Sequence, residues 1–499
     1  MKRLLVIGID GMDPRLIDRW EGDLPNLASL TAKGSRRVLR SAFPPDSVPS
    51  WITIYTGESP VNHGVLESFN YLDKNFKQFR IDEGVFRERT FWDIASRAGK
   101  KVCVINPFLA YPPWEVNGCM VSGPVFEGGE AKIFPGDIAA RHPLPPLGGI
   151  VDFPTRKTLA GFVERTESLT RQLAEFSAGL LGDLEWDLAF VCFLTLDRTQ
   201  HFLWRFGDPE DPTYPGPTPY EETIKRAYRQ FDTVVGDLAA ASGSDTGILI
   251  VSDHGHGRRC TRVVNFNELM RRRGWLVSKA RSRFDHRYLL ERAKNATLQF
   301  VYDHNLEDWM FRVARFIPNR KALKKSAHIV SWGENLAQAS YFAGTNPFGG
   351  IEVNRERLKS EGVDYEDFRD TLIREILALE DPDTGKRITR WARRREDVHK
   401  GKRLDVYPDV LFEMEEDYGV NWALHTDLVT NNPTHRKISG GHAMEGVFLL
   451  SGVDADLQDR QPAVQDIAPT VLDLLGVEFE SDVDGRSLLV GTRNQSGAD

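Results

Sequence analysis

The sequence predicts an α/β fold: a doubly wound, mostly parallel sheet with insertions that cap one end of it. Three observations favour this class. Short, unbroken apolar runs recur along the chain, a pattern typical of strands buried on both faces of a parallel sheet. Helical periodicity precedes the later runs, and alternating strands and helices are the order of a doubly wound sheet. Two long regions break the alternation and are expected to be the insertions.

The first strand is predicted at "RLLVIGID", residues 3–10, because its apolar run is unbroken and ends in Gly and Asp. Asp13 and Pro14 then match a helix N-cap followed by proline at the first helical position. Further strands are predicted at "KVCVIN" (101–106), "DLAFVCFLTLD" (187–197), "TGILIVSDHG" (246–255) and "GVFLLSG" (446–452).

Amphipathic helices are predicted between these strands. Residues 161–181 and 220–241 place apolar side chains three and four positions apart, which gives each helix one apolar face. They precede the strands at 187 and 246, so strand and helix alternate through the middle of the chain. A last helix, "DIAPTVLDLLG" (466–476), follows the late strand and completes the pattern.

The breaks in this pattern suggest a division into domains. The core is expected to comprise residues 1–106, 159–266 and 441–490. Residues 107–158 are rich in Pro and Gly and are expected to form a small insertion. Residues 267–440 contain basic helices and are expected to form a larger cap that selects the substrate. The tail, residues 491–499, is expected to fray.

Composition narrows the partners. The chain has 499 residues, and its formal net charge of -8 argues against nucleic acid, whose binding surface would be basic. No apolar run approaches the roughly 20 residues of a membrane-spanning helix, so no membrane partner is expected. The scattered cysteines fit a reducing compartment, and a cytoplasmic location is expected. They are Cys103, Cys119, Cys192 and Cys260.

Acidic and imidazole side chains sit at or just beyond the carboxyl ends of the predicted strands. In an open α/β sheet, that edge borders the ligand crevice. These residues are Asp10, Asp197, His201, Asp253, His254 and His442. Carboxylate and imidazole ligands without thiolates suit Zn²⁺ or Mn²⁺. The set is too large for one tetrahedral ion and suits two ions roughly 4 Å apart, as in phosphoryl-transfer sites.

Each feature alone has an ordinary explanation. A lone Asp at a strand end is most often a helix cap, and Asp-x-x-x-His spacing, as in Asp197 and His201, occurs by chance on many helices. Ser47, in "AFPPDSVPSWITIYTGESPVNHG" (42–64), lies where a loop becomes a helix and is either a cap or a nucleophile. The combination of all these residues at successive strand ends favours a functional site.

The order of the motifs resembles the alkaline phosphatase superfamily. The motifs are "VIGIDGMD", "LPNLASLTAKG", "SVPSWITIYTGESPVNHG", "LDRTQH", "SDHG", "GGHAMEG" and "DIAPTVLDLLG", followed by "DVDGRSL". The chain is most similar to the branch of type I phosphodiesterases, nucleotide pyrophosphatases and cofactor-independent phosphoglycerate mutases, and within it to prokaryotic phosphohydrolase or phosphomutase proteins. The resemblance implies the alkaline phosphatase type of sheet.

The resemblance also implies roles for individual residues. One metal ion would be held by Asp10, Asp253, His254 and the hydroxyl of the nucleophile. The other would be held by Asp197, His201 and His442. The nucleophile lies nine residues before the Thr of the pair Thr56-Gly57, which is Ser47, and a helix N-terminus there favours a phosphate group. Ser50 and Asp46 are the alternative nucleophiles.

Departures from the pattern refine the function. Ser50 stands where phosphodiesterase relatives usually carry an Asn that holds a phosphate oxygen, so it is a candidate substrate contact. Trp51 stands where sulfatases need Arg, which disfavours a sulfatase. His256 and His435 flank the motifs and are further candidates for contacts with the substrate. Their ordinary alternatives are support of the ligands for His256 and a loop surface for His435.

The function implied is a two-metal phosphodiesterase or phosphatase. It would hydrolyse a small anionic phosphate ester through a phosphoseryl intermediate, with Zn²⁺ expected first and Mn²⁺ second. A phosphomutase or phosphoryl transferase with the same site is the alternative. A non-catalytic scaffold stabilised by metal ions is the third reading, and the complete set of ligands argues against it.

Overall fold

A sheet of eight strands, mostly parallel, forms the centre of the protein. The computed structural model describes residues 3–66, 86–124, 130–147, 153–279, 284–306, 309, 332–341, 344–479 and 483–491. Across the sheet the strands are β2 (Gly34–Arg40), β17 (Glu445–Ser451), β7 (Thr246–Val251), β1 (Arg3–Ile9), β6 (Leu188–Phe193), β3 (Val102–Ile105), β4 (Gly118–Ser122) and β5 (Lys132–Phe134). The pairs from β7 through β4 are parallel, whereas β17 and β5 run antiparallel to their neighbours.

Both faces of the sheet are covered, which explains why its strands are continuously apolar. In β1, Leu5 and Ile7 pack into the apolar core on one face, and Leu4 and Val6 pack into the core on the other. Successive side chains of a strand point to opposite faces, so burial on both sides removes the alternation of polar and apolar residues. The predicted doubly wound, mostly parallel sheet is confirmed.

Helices flank the sheet on both faces. The helices in chain order are α1 (Pro14–Arg19), α2 (Pro25–Ala32), α3 (Ser47–Thr56), α4 (Pro60–His63), α5 (Phe91–Arg97), α6 (Leu159–Asp183), α7 (Thr195–Leu203), α8 (Thr223–Ser242), α9 (Phe266–Arg272), α10 (His286–Asp303), α11 (Arg355–Ser360), α12 (Tyr365–Leu377), α13 (Arg395–Val398) and α14 (Ile467–Leu474). The two predicted amphipathic helices correspond to α6 and α8. None of the described helices is both long and apolar enough to cross a bilayer.

The region predicted to be a cap contains a separate antiparallel sheet. The remaining strands are β8 (Gly255–Arg258), β9 (Arg262–Asn265), β10 (Ala337–Ala339), β11 (Phe348–Val353), β12 (Thr389–Arg394), β13 (Val410–Met414), β14 (Tyr418–Asn421), β15 (Val429–Asn431) and β16 (Gly440–Ala443). The order β10-β11-β13-β12 forms the cap sheet, which has its own apolar core against α12. A cluster containing Phe43 and Val61 from the core and Phe348 and Tyr407 from the cap joins the two.

Residues 107–158, predicted to be a small insertion that caps one end of the sheet, contain β4 and β5, which extend the edge of the sheet. Strand β4 pairs with β3 over only four residues. Because the segment is short and surrounded by Pro and Gly residues, the sequence analysis did not predict a strand there. The predicted frayed tail lies outside the described residues from 492 onwards.

Candidate active site

The predicted ligand residues converge at the carboxyl ends of the central strands. Asp10 follows β1, and Asp253 and His254 follow β7. Asp197 and His201 lie on α7, which begins two residues after β6 ends, and His442 lies in β16. The position of Asp197 corrects the sequence analysis, which placed it at the end of a strand. Because four residues make about one helical turn, α7 presents Asp197 and His201 on the same face.

The first group of side chains surrounds the Ser47 hydroxyl. Ser47 Oγ lies 3.3 Å from Asp10 Oδ1 and 3.1 Å from His254 Nε2. His254 Nε2 in turn lies 3.3 Å from Asp253 Oδ2 and 3.6 Å from Asp10 Oδ1. The two carboxylates and the imidazole are buried, whereas Ser47 is half-buried. One oxygen or nitrogen atom from each of the four side chains therefore faces a common point.

The second group lies beside the first. His201 Nε2 is 3.2 Å from Asp197 Oδ1 and 3.0 Å from His442 Nε2, and His442 Nε2 is 3.5 Å from Asp197 Oδ1. The rings of His254 and His442 stack with their centroids 4.0 Å apart, which places the two groups side by side. Residues separated by more than 400 positions along the chain are thus neighbours in the site.

Backbone carbonyl groups fix the tautomers of these histidines. Nδ1 of His254, His201 and His442 lies 2.8–2.9 Å from the carbonyl oxygens of Gly255, Gly440 and Pro45, respectively. A carbonyl oxygen can only accept a hydrogen bond, so each Nδ1 carries the proton and each Nε2 of a neutral ring presents a lone pair. The Nε2 atoms of His201 and His442 therefore need a proton or a cation between them.

The spacing of the ligand atoms fits a metal ion in each group. Bonds of about 2.0–2.1 Å in a tetrahedral shell place neighbouring ligand atoms about 3.3 Å apart. The distances within the groups scatter around that value, from 3.0 to 3.6 Å. Asp197 Oδ1 and Asp253 Oδ2 are buried and have no hydrogen-bond partner among the described residues. Hydrogen bonds from each ring to a backbone carbonyl are also the usual support of histidine ligands.

The electrostatics of the site also favour a cation. Burial raises the pKa of the Asp10 carboxyl well above its usual value, and the charges of Asp253 and Asp197 raise it further. Burial and the charge of Asp197 act on the pKa of Asp253 in the same way. Burial would also raise the pKa of Asp197, but His201 and its other imidazole neighbours hold it well below the usual value. A divalent ion would compensate these buried carboxylates.

Ser47 is not the N-cap of α3. The cap is Asp46, whose side chain accepts a hydrogen bond from the Val48 N–H, while Ser47 is the first helical residue. Pro49 has no N–H and the Ser50 N–H donates to the Asp46 carbonyl, so in the first turn only the Ser47 N–H has no partner among the described residues. Fewer amides than expected are thus available to a phosphate group, although the helix dipole remains.

The structure adds Trp51 to the site. Its indole Nε1 donates to Asp10 Oδ2 at 3.0 Å, and the ring is fully buried. Gly8 makes room for the ring, because a β-carbon there would lie 2.6 Å from Trp51 Cη2. The sequence analysis used Trp51 only to argue against a sulfatase. The sequence contained enough information to place Trp51 near Ser47. It lies four positions after Ser47, which is about one helical turn, so both side chains lie on the same face of α3.

The three residues predicted to contact the substrate, Ser50, His256 and His435, are all buried and have different neighbours. Ser50 is fully buried and its hydroxyl lies 3.1 Å from Ser41 Oγ. His435 is also fully buried, where Nε2 pairs with Asp211 Oδ2 at 2.8 Å. The alternative of a loop surface for His435 is therefore wrong. His256 is buried next to the second group, with Nδ1 3.4 Å from Asp197 Oδ1, and burial lowers its pKa to about 3.

Comparisons with known proteins identify the family of the chain and proteins of similar fold. The family model of type I phosphodiesterase / nucleotide pyrophosphatase matches residues 4–442. No curated protein matches the chain in sequence. Among solved structures, the chain is similar to phosphonoacetate hydrolase from Sinorhizobium meliloti 1021, which was solved in complexes with phosphonoacetate and with phosphonoformate. The two chains are 14% identical with a TM-score of 0.53, and the comparison covers 95% of each chain. Human ectonucleotide pyrophosphatase / phosphodiesterase 5 is 12% identical with a TM-score of 0.47, over 98% of this chain and 100% of that one.

The likeness to phosphonoacetate hydrolase concerns the fold, since the identity is low. The family model spans nearly the whole chain and takes in every predicted ligand from Asp10 to His442. The predicted class, an enzyme that hydrolyses phosphoric esters, is thereby confirmed. The chain belongs to the type I phosphodiesterase / nucleotide pyrophosphatase family.

Proposed function

We propose that this protein is a two-metal phosphodiesterase that uses Ser47 as its nucleophile. The observation that carries the proposal is the position of Ser47 Oγ, which lies within 3.3 Å of both Asp10 Oδ1 and His254 Nε2. Of the hydroxyl groups in the first turn of α3, Ser47 is half-buried, whereas Ser50 is fully buried. A nucleophile must reach the substrate, so exposure favours Ser47.

Two ions would be held by the two groups of side chains. Asp10, Asp253, His254 and the Ser47 hydroxyl would hold one, and Asp197, His201 and His442 the other. Zn²⁺ is expected first and Mn²⁺ second, because the ligands are oxygen and imidazole without thiolate. When bound, the ions would neutralise charge on the phosphoryl oxygens and lower the pKa of the serine hydroxyl.

The residues of the chain would then act in order. Ser47 Oγ attacks the phosphorus atom in line with the leaving ester oxygen, and the new Oγ–P bond replaces the bond from phosphorus to that oxygen. The serine proton leaves with the departing alcohol, and a phosphoseryl ester remains. Water hydrolyses this ester on the opposite side and regenerates the hydroxyl. Asp10 Oδ1 accepts a hydrogen bond from Ser47 and orients it, and Trp51 holds the other oxygen of the same carboxylate. Asp46 holds the start of α3 and thereby the position of Ser47.

The family description supports an ester with a second group on phosphorus. A cleft of about 440 Å³ lies between the core, which contributes Arg15, His256 and Arg258, and the cap, which contributes Arg390 and Glu416. Of the residues near the site, His256 lines this cleft, whereas Ser47 and the proposed metal ligands do not. The four cysteines are free, which supports the expected cytoplasmic location.

The test is hydrolysis by protein stripped of metal and then reloaded with Zn²⁺ or Mn²⁺. Bis(4-nitrophenyl) phosphate and 4-nitrophenyl phosphate are the probes for diester and monoester. We expect turnover of the diester only after reloading, with no acceptor alcohol required. Full turnover of metal-free protein would refute the two-metal site. Turnover that depends on an acceptor would indicate a transferase, and bound metal without turnover would indicate a scaffold.

A further inference from the structure

His256 occupies a place that the two expected ligand groups do not explain. It lies in β8, where it pairs across the antiparallel ladder with His442 of β16. Its side chain is fully buried, and Nδ1 lies 3.4 Å from Asp197 Oδ1. Its ring centroid is 4.6 Å from that of His201 and 5.8 Å from that of His442. Three imidazole rings thus surround one carboxylate.

The polar atoms of His256 lack partners. Among the residues that the structure describes, neither Nδ1 nor Nε2 of His256 has a hydrogen-bond partner, and the same is true of the facing Asp197 Oδ1. A buried imidazole almost always satisfies at least one nitrogen, because an unpaired buried polar group is unfavourable. Nδ1 and Asp197 Oδ1 face each other at 3.4 Å, and a cation bound by both atoms would satisfy both of them.

The surroundings of the ring hold it with Nδ1 towards the site. The backbone N–H of His256 donates to Asp13 Oδ2 at 3.0 Å, and the ring of Trp204 stacks on it at a centroid distance of 5.9 Å. On the other side, Nε2 faces the backbone of Gly440, where a β-carbon would lie only 2.6 Å away. The absence of a side chain at Gly440 lets the ring enter, and Nδ1 is left as the atom that faces Asp197.

We infer that His256 is a fourth protein ligand, through Nδ1, of the metal ion at Asp197, His201 and His442. The inference rests on the proposed two-metal site and deepens it. Asp197 Oδ1 has three imidazole nitrogens around it: His201 Nε2 at 3.2 Å, His256 Nδ1 at 3.4 Å and His442 Nε2 at 3.5 Å. These distances match the edge of a tetrahedral shell, which is about 3.3 Å for bonds of about 2.0–2.1 Å.

The two ions would then be held unequally. The ion beside Ser47 would have one imidazole ligand, His254, together with oxygen ligands. The ion beside His256 would have three imidazoles and a carboxylate, one protein ligand more than a typical catalytic zinc, so a phosphoryl oxygen would bind it as a fifth ligand. A chelator should therefore remove the ion beside Ser47 first and the ion beside His256 only at higher concentration.

Metal content after dialysis against increasing chelator tests this order. The Asp10→Asn variant removes a ligand of the first ion and is expected to keep one zinc ion per chain. Adding His256→Ala should weaken the affinity for that ion by at least about 100-fold. Loss of a residue that only supports a ligand typically weakens metal affinity by about 10- to 100-fold. Adding His304→Ala instead, which removes an exposed histidine outside the site, should leave retention unchanged. Equal retention with and without His256 would overturn the inference.

A zinc-loaded crystal structure of the wild-type protein separates a ligand from a residue that only orients Asp197, and it does not depend on whether a variant folds. The expected distance from His256 Nδ1 to zinc is about 2.1 Å. A distance above about 3 Å would overturn the inference even with both ions present. In that case the proposed function stands if the diester is still hydrolysed. Wild-type protein that binds no divalent ion would overturn both.

Discussion

Ser47 and Asp46 divide two roles that a single residue at a helix start could combine. The carboxylate of Asp46 caps α3 by accepting from the Val48 N–H at 3.0 Å. The Ser47 hydroxyl is therefore not needed as a cap, and it faces Asp10 and His254 instead. The sequence left open whether Ser47 is a helix cap or a nucleophile. Because Asp46 caps α3, the role of cap is removed from Ser47.

Ser47→Ala is expected to reduce kcat for diester hydrolysis by at least about 1,000-fold, because loss of a nucleophile removes the covalent route. The rate of nitrophenol release at saturating substrate measures this. Ser50→Ala is the matched control: it removes the same group three residues along α3, where the hydroxyl is fully buried against Ser41 and does not face Asp10 or His254. A phosphorylated Ser47 peptide trapped by acid quench should appear in Ser50→Ala and be absent from Ser47→Ala. Full turnover of Ser47→Ala would show that another residue attacks.

Trp51 contributes to the site through one hydrogen bond. Trp51→Phe keeps an aromatic ring near Tyr55 and Phe190 but removes the donor to Asp10 Oδ2. Loss of a hydrogen bond to a metal-ligating carboxylate typically weakens metal affinity by about 10- to 100-fold, and that is the expected change here. Competition with a chromophoric chelator measures it.

Trp92→Phe is the control for that change. Trp92 packs in the same aromatic cluster, with its ring centroid 5.7 Å from Phe190, and its indole nitrogen has no hydrogen-bond partner among the described residues. The substitution removes a similar volume without touching Asp10. If both variants lose affinity equally, packing rather than the hydrogen bond supports the site.

At the scale of elements, the strands were the most predictable part of the fold. The run at 3–10 corresponds to β1, and the late run at 446–452 corresponds to β17, because burial on both faces leaves an unbroken apolar signature. The four-residue β8 and β16 were not predicted. Their residues are Gly, His, Arg and Ala, which show no strand periodicity here, and only their pairing brings His442 opposite His256.

Helix α4 supports α3 through a buried histidine. His63 Nε2 lies 3.1 Å from Thr53 Oγ1 on α3, and Nδ1 accepts from the Val65 N–H. Burial, together with the charges of Arg89 and Arg403, lowers the pKa of His63 from 6.5 to about 3. Between these values the unfolded chain binds a proton that the folded chain does not. The stabilisation is therefore complete above pH 6.5 and is lost as the pH falls towards 3.

His63→Asn is expected to flatten the acid limb of the stability curve. It keeps an acceptor for the Val65 N–H but does not titrate, so the dependence of the free energy of unfolding on pH should fall by up to about 1.4 kcal/mol per pH unit below pH 6.5. Urea unfolding of both proteins at several pH values between about 7 and about 4.5 measures the difference. Parallel curves would mean that His63 remains neutral in the unfolded chain or charged in the folded one.

At the scale of the whole molecule, the order of strands explains why the convergence of the proposed ligands could be predicted from the sequence, while the residues around them could not. Asp10 and Asp253 follow β1 and β7, which are neighbours in the sheet, so strand-end positions alone bring them together. The places of Trp51 and His256 depend on how α3 and β8 pack over that edge. Gly8 and Gly440 permit that packing, because a β-carbon at either position would collide with the ring of Trp51 or His256, respectively. The sequence alone does not show which side chains approach these glycines.

The same architecture predicts that metal ions stabilise the whole fold. The proposed ligands come from segments that begin at Asp10 and end at His442, so bound ions would link both ends of the core. An ion that binds only the folded chain adds about 2.7 kcal/mol of stability when its free concentration is 100 times its Kd. Without bound ions, the buried carboxylates of Asp10 and Asp253 lie close together with no positive charge to compensate them. Zinc should therefore raise the Tm of the stripped protein in calorimetry. Ser47→Ala should keep most of this increase, whereas His254→Ala should lose a large part, because only the latter removes an imidazole ligand. An unchanged Tm on adding zinc, with zinc shown to be bound, would mean that the ions bind the unfolded chain equally well and do not link the segments.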